Sequence, residues 1–139
     1  MKLKFKLYNK KTNKIVDDIN RSIAIADGTV QSFDRAGNME GTAANVHLKP
    51  LLYANKNDIK GKEIYNGFIV KREAADPGDE DIIGVVTFNE CCWWIVNEKQ
   101  NRAVRLFSET AIDTIIGNIY QNPELYDLAG YEYKGEYAC

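Results

Sequence analysis

The chain has 139 residues, 45% hydrophobic and 27% charged, with a net charge of −2. That is the balance of a soluble globular protein of one domain or two small lobes, large enough to bury about 68% of its unfolded surface without staples. No run of about 18 apolar residues occurs, which excludes a transmembrane helix, and the basic excess that advertises a nucleic-acid binder is absent.

Met1-Lys2-Leu3-Lys4-Phe5-Lys6-Leu7 alternates charged and apolar residues. A signal peptide needs a continuous apolar centre instead, so the cytoplasm is the expected compartment. Leu3, Phe5 and Leu7 share one face of a predicted strand, and Lys2, Lys4, Lys6 and Tyr8 the other. Together with Lys10, Lys11 and Lys14 these lysines read as a solvated edge strand and its turn, where they discourage aggregation. Ser22–Ala26 and Thr29–Phe33 flank Asp27-Gly28, the signal for a type I′ hairpin. Residues 34–41 read as a loop. Val46–Leu48 and Leu51–Tyr53 flank Pro50. Proline cannot donate to a ladder, so an edge strand or a bend is expected there.

The stretch that organises the chain is Gly61-Lys62-Glu63-Ile64-Tyr65-Asn66-Gly67-Phe68-Ile69-Val70-Lys71. It reads as a turn, a half-exposed arm, a tight bend at Gly67 and a core strand. Asp76-Pro77-Gly78-Asp79 is an exposed turn. Three strands follow, at Gly84–Phe88, Trp93–Val96 and Ala103–Phe107, separated by short polar turns. Residues 114–120 are predicted as strand on their β-branched content. Asn122-Pro123-Glu124 starts a short helix over residues 123–129, with Asn122 as cap, and Gly130 stops it. The expected division is an N-terminal β lobe (1–54), a barrel lobe (55–130) and a tail or edge strand (131–139).

Three blocks resemble one family. Gly61 through Val70, with Ile64, Tyr65 and Gly67, resembles the signature segment of the YopX-like phage proteins. Gly117-Asn118-Ile119-Tyr120-Gln121-Asn122-Pro123-Glu124-Leu125 resembles their C-terminal signature, and Lys4 through Thr12 their N-terminal strand and turn. The resemblance implies a mainly-β protein with an SH3-like barrel in its second half, and a phage or prophage origin. It implies no activity. The family usually has aspartate where Phe68 stands, and Thr-Gly where Ala54-Asn55 stand, so no ligand role of that acidic position carries over.

The residues offer no catalytic constellation. His47 lies between apolar neighbours and reads as structural. Cys91, Cys92 and Cys139 suit neither a disulfide framework nor a zinc set. The acidic turn at 76–81 does not match a calcium loop. No cofactor is expected, and the chain is expected not to be an enzyme. Two readings remain: a non-catalytic phage accessory protein that binds a protein partner or itself, and a small-barrel nucleic-acid binder that stacks bases on aromatics.

The tryptophans define the candidate partner surface. If Asn89–Cys92 and Glu98–Asn101 are four-residue loops, Phe88 pairs with Trp93, Val86 with Ile95, Ile95 with Val104 and Trp93 with Leu106. Those six residues then make one apolar face. Trp94 falls on the opposite face between Thr87 and Arg105, with Arg105 able to lie over its ring.

Overall fold

A computed structural model of the chain describes residues 4–10, 12–17, 22–26, 29–33, 39–42 and 48–132. The chain divides into two compact units, Met1–Tyr53 and Ala54–Cys139, and it is mainly β.

In the first unit β1 (Phe5–Asn9) pairs antiparallel with β2 (Lys14–Asp17) on one side and with the start of β6 (Leu48–Asn57) on the other. β1 is therefore interior, not an edge, and both Leu7 and Tyr8 are buried. Tyr8 shares the face of its lysine neighbour Lys6 but is buried there rather than solvated, and its hydroxyl donates to Asn13 Oδ1 at 2.8 Å. β6 runs straight through Pro50 without a bend. The amide of Tyr53 donates to the Lys4 carbonyl, which marks that pair as hydrogen-bonded. Counting in twos along the ladder makes Leu7 and Pro50 a non-hydrogen-bonded pair. The missing N–H of proline then costs the ladder nothing.

β3 (Ser22–Ala26) and β4 (Thr29–Phe33) pair in the expected register, Ala26 opposite Thr29; Asp27 and Gly28 themselves lie outside the described residues. β5 (Met39–Thr42) adds a third strand to this sheet, where a loop was expected. Its four residues include Gly41 and show no alternation, so only the pairing with β4 makes them a strand. His47 and Cys139 lie outside the described residues.

In the second unit β7 (Glu63–Tyr65) is hydrogen-bonded to β6. The expected half-exposed arm is closed in: Ile64 and Tyr65 are fully buried. β8 (Phe68–Glu73), β9 (Ile82–Asn89), β10 (Cys92–Asn97), β11 (Arg102–Arg105) and β12 (Ile112–Asn118) form one antiparallel sheet in the order β11-β10-β9-β8-β12. It is a four-strand meander whose fifth strand returns beside the first, an order compatible with an SH3-like barrel. Ile69, Val70, Val86, Ile95 and Leu106 fill its core. A bulge between Ile115 and Gly117 breaks the β8–β12 register, and the extra residue, Ile116, is exposed. A 3-10 turn (Pro123–Leu125) continues into α1 (Tyr126–Ala129), and Gly130 ends it in the left-handed conformation at φ 64°. No helix among the described residues is long and apolar enough to cross a membrane.

Candidate partner surface and the turns that frame it

The register across β9, β10 and β11 places the two tryptophans on opposite faces. Phe88 pairs with Trp93, Val86 with Ile95, Ile95 with Val104, and Trp94 with both Thr87 and Arg105. The amide of Leu106 donates to the Trp93 carbonyl, which continues the ladder. Trp93 is buried and Trp94 half-buried. The Arg105 guanidinium carbon stands 5.8 Å from the centroid of the Trp94 ring, within cation–π range. The indole Nε1 donates to the Asn89 carbonyl at 3.1 Å. That bond holds the ring while part of its surface stays in water.

Two details differ from expectation. Phe88 shares the face of Trp93, its ring 5.2 Å away, but is 50% exposed because it sits at the open tip of the hairpin. Asn89 also pairs with Cys92, so the connection is two residues, Glu90 and Cys91, with φ 52° and 60°. Both occupy the positive-φ sites of a tight hairpin turn, which Asn-Gly fills at lower cost. Replacing Glu90-Cys91 with Asn-Gly is expected to raise the unfolding free energy by about 1 kcal/mol, measured by urea denaturation. A loss of stability would show that the native side chains make compensating contacts.

The ends of the sheet are tied by a polar cluster that sequence reasoning missed. Asp113 on β12 has 1% of its side chain exposed. Arg72 Nε donates to its Oδ1 at 2.7 Å, and Arg72 Nη2 and Lys56 Nζ each donate to its Oδ2 at 3.0 Å. Arg72 also donates to the carbonyls of Arg105 and Leu106, and Lys56 to that of Leu106. One guanidinium on β8 thus joins β12 to the end of β11. Burial raises the pKa of Asp113, but the hydrogen bonds and charges of Arg72 and Lys56 outweigh it and hold the carboxyl below the usual range.

Asp58 closes the β12 side. Its Oδ1 accepts the amides of Lys60 and Lys62, and its Oδ2 that of Ile115. The next amide, Ile59, donates to the Asp113 carbonyl. Burial raises the Asp58 pKa, and these three backbone donors lower it further than burial raises it. The only trace of this arrangement in the chain is an acid before the turn at Gly61.

The signature residues are architectural. Gly61 and Gly67 have φ of 82° and 89°. A Cβ on Gly67 would stand 2.5 Å from the Tyr120 hydroxyl oxygen, and Tyr120 is itself buried. The Gly67 amide donates to Val86, and its carbonyl accepts from Ile119. Gly67→Ala is expected to cost about 1–3 kcal/mol, from the backbone conformation and the collision together. An unchanged melting temperature would remove that account.

Asn118 Oδ1 accepts the amides of Tyr120 and Gln121, and Asn122 Oδ1 accepts that of Asn118. Asn122 stands before the helix as expected, but its side chain caps no helix amide: its Oδ1 closes the preceding turn, and its Nδ2 donates to Glu124 Oε1 at 2.8 Å. Gly117 leaves room for this: a Cβ would lie 2.6 Å from Leu125 Cδ1 and 2.7 Å from Asn122 Oδ1. Pro123 occupies the first helical position, as expected. Asn55, where the resembling family has glycine, takes φ 61°; asparagine tolerates this left-handed conformation, so the departure keeps the backbone. Phe68 is half-buried with its ring 5.6 Å from Tyr65.

Cys91 is exposed and Cys92 half-buried, both as free thiols. No group of three or more His, Cys, Asp or Glu able to hold a metal occurs among the described residues.

These features define a mainly-β protein with a five-stranded meander sheet, structural signature turns and an aromatic–cation pair on the outer face. The family model of the YopX protein matches residues 4–127, and the chain belongs to the YopX family. Its fold is similar to that of protein yopX from Bacillus subtilis, with TM-score 0.63 and 22% identity over 87% of this chain and 95% of that one. Protein EF1440 from Enterococcus faecalis is similar over 90% of this chain and 98% of its own, at 17% identity and TM-score 0.49. No curated protein matches the chain.

Proposed function

We propose that this chain is a non-catalytic accessory protein of a phage or prophage that docks a protein partner, or a second copy of itself, on the Trp94–Arg105 face. The observation that carries the reading is the half-exposed indole, held by Asn89 and covered on one side by Arg105. Tryptophan, tyrosine and arginine are the residues on which interfaces concentrate their binding energy. The edges of the sheet favour a face over an edge as the docking site. Asp58 and Ile59 pair with the outer side of β12. β11 has only four residues, and its last carbonyl, that of Arg105, accepts from Arg72, as does that of Leu106 just beyond it. Short and occupied edges resist strand addition.

The test is sedimentation of the full chain over a range of concentrations, beside a Trp94→Ala, Arg105→Ala variant. A photo-crosslinking residue placed at position 94 in expressing cells completes it. Association, or a specific crosslink, that the double variant loses while keeping its circular dichroism supports the reading. A chain that stays monomeric and crosslinks to nothing at position 94 removes it.

A further inference from the structure

The charges of this chain are segregated. Residues 1–53 carry nine Lys and Arg against five Asp and Glu, a net charge of +4, whereas residues 54–139 carry nine against fifteen, a net charge of −6. The overall −2 conceals a cationic unit. Six of its nine cations are lysines within the first 14 residues. Protection of a strand edge, the explanation the sequence suggested for them, holds for Lys14 on the edge strand β2 but not for Lys6, because β1 lies between β2 and β6. Lys10 and Lys14 are exposed at the β1–β2 connection. Lys49 stands opposite Tyr8, two residues from Lys6 on the same face of the sheet.

We propose that the first unit binds the phosphate backbone of a nucleic acid, with the β1–β2 hairpin as the contact. Lysines on flexible stems act as point charges that suit a regular line of phosphates. A protein surface would also need apolar anchors. On the β1–β2 hairpin itself, no large hydrophobic is exposed among the described side chains of residues 4–10 and 12–15. Backbone contact carries no direct sequence information, so binding is sequence-tolerant. The net charge of −6 on the second unit opposes the attraction, which keeps the affinity modest. This site is separate from the Trp94–Arg105 face, and each stands or falls without the other.

The experiment is fluorescence anisotropy of the full chain with a labelled DNA, single-stranded and duplex, at about 50 and 200 mM salt, with labelled polyglutamate as a second probe. For three phosphate contacts on duplex, affinity should fall about 40-fold between the two salts. Lys10→Glu with Lys14→Glu should weaken binding at low salt by more than about 10-fold and reduce the salt slope by about two contacts. Lys10→Gln with Lys14→Gln should fall between, and Trp94→Ala should bind as the wild type. Circular dichroism and melting of each variant confirm that it is folded. Absence of binding at low salt, or equal binding by the folded Glu variant, overturns the proposal. Polyglutamate binding as tight as DNA also overturns it, in favour of an acidic protein partner.

Discussion

Asp113→Asn is expected to lower the unfolding free energy by about 3–5 kcal/mol, because it leaves Arg72 and Lys56 without the carboxylate that neutralises them. The lower end of the range applies, since 18% of the Lys56 side chain is exposed and its ammonium can turn to water. Urea denaturation checks the value. A variant that also carries Arg72→Met and Lys56→Met should recover part of the loss, because no uncompensated buried charge then remains.

The same cluster sets the acid limb of stability. The Asp113 and Asp58 carboxyls lie below their ordinary range in the folded chain, and an unfolded aspartate titrates near about 3.9. A depressed folded pKa contributes stability that is present above the unfolded value and lost as pH falls through the folded one. The wild type should therefore lose stability from about pH 5 downward, and Asp113→Asn should show a shallower slope over that window. A variant with the wild-type midpoint and the wild-type slope would show that the cluster does not tie the sheet.

Trp93→Ala should cost about 3–5 kcal/mol, as for a large core aromatic, while Trp94→Ala should cost about 1–2 kcal/mol, the sum of one hydrogen bond and one cation–π contact. Trp93 is 6% exposed and packs against the Phe88 ring. Trp94 loses only its bond to Asn89, its contact with Arg105 and partial burial. Thermal melts give the ordering, and iodide quenching of the two single-tryptophan variants gives the exposures independently. A protected and strongly destabilising Trp94 would contradict the β9–β10–β11 register and remove the proposed docking face with it.

How much of this was legible in the chain depended on distance along it. The placement of Trp93 and Trp94 followed from alternation alone, because a one-residue slip would have mixed polar and apolar residues on both faces. The bend at Gly67 was legible because positive φ is a local demand that glycine meets. The short helix before Gly130 was legible because proline and glycine punctuate its ends. The turn at Glu90-Cys91 was read too long because neither residue is a usual choice for its conformation.

β5 was missed because four residues without a pattern become a strand only when β4 lies beside them. β1 was placed at an edge because nothing in its own residues shows that β6 covers its second side. Even Asn122, correctly placed before the helix, serves the turn behind it. Composition and period thus determined that the chain is mainly β, which residues turn it, and which tryptophan faces the core. Only the tertiary structure decided which strands are edges and which charges meet. Arg72 and Lys56 lie 41 and 57 residues from Asp113 in the chain. No local preference encodes that meeting; it exists because the β8–β12 pairing sets Arg72 opposite Asp113 and the end of β6 brings Lys56 to the same buried carboxylate.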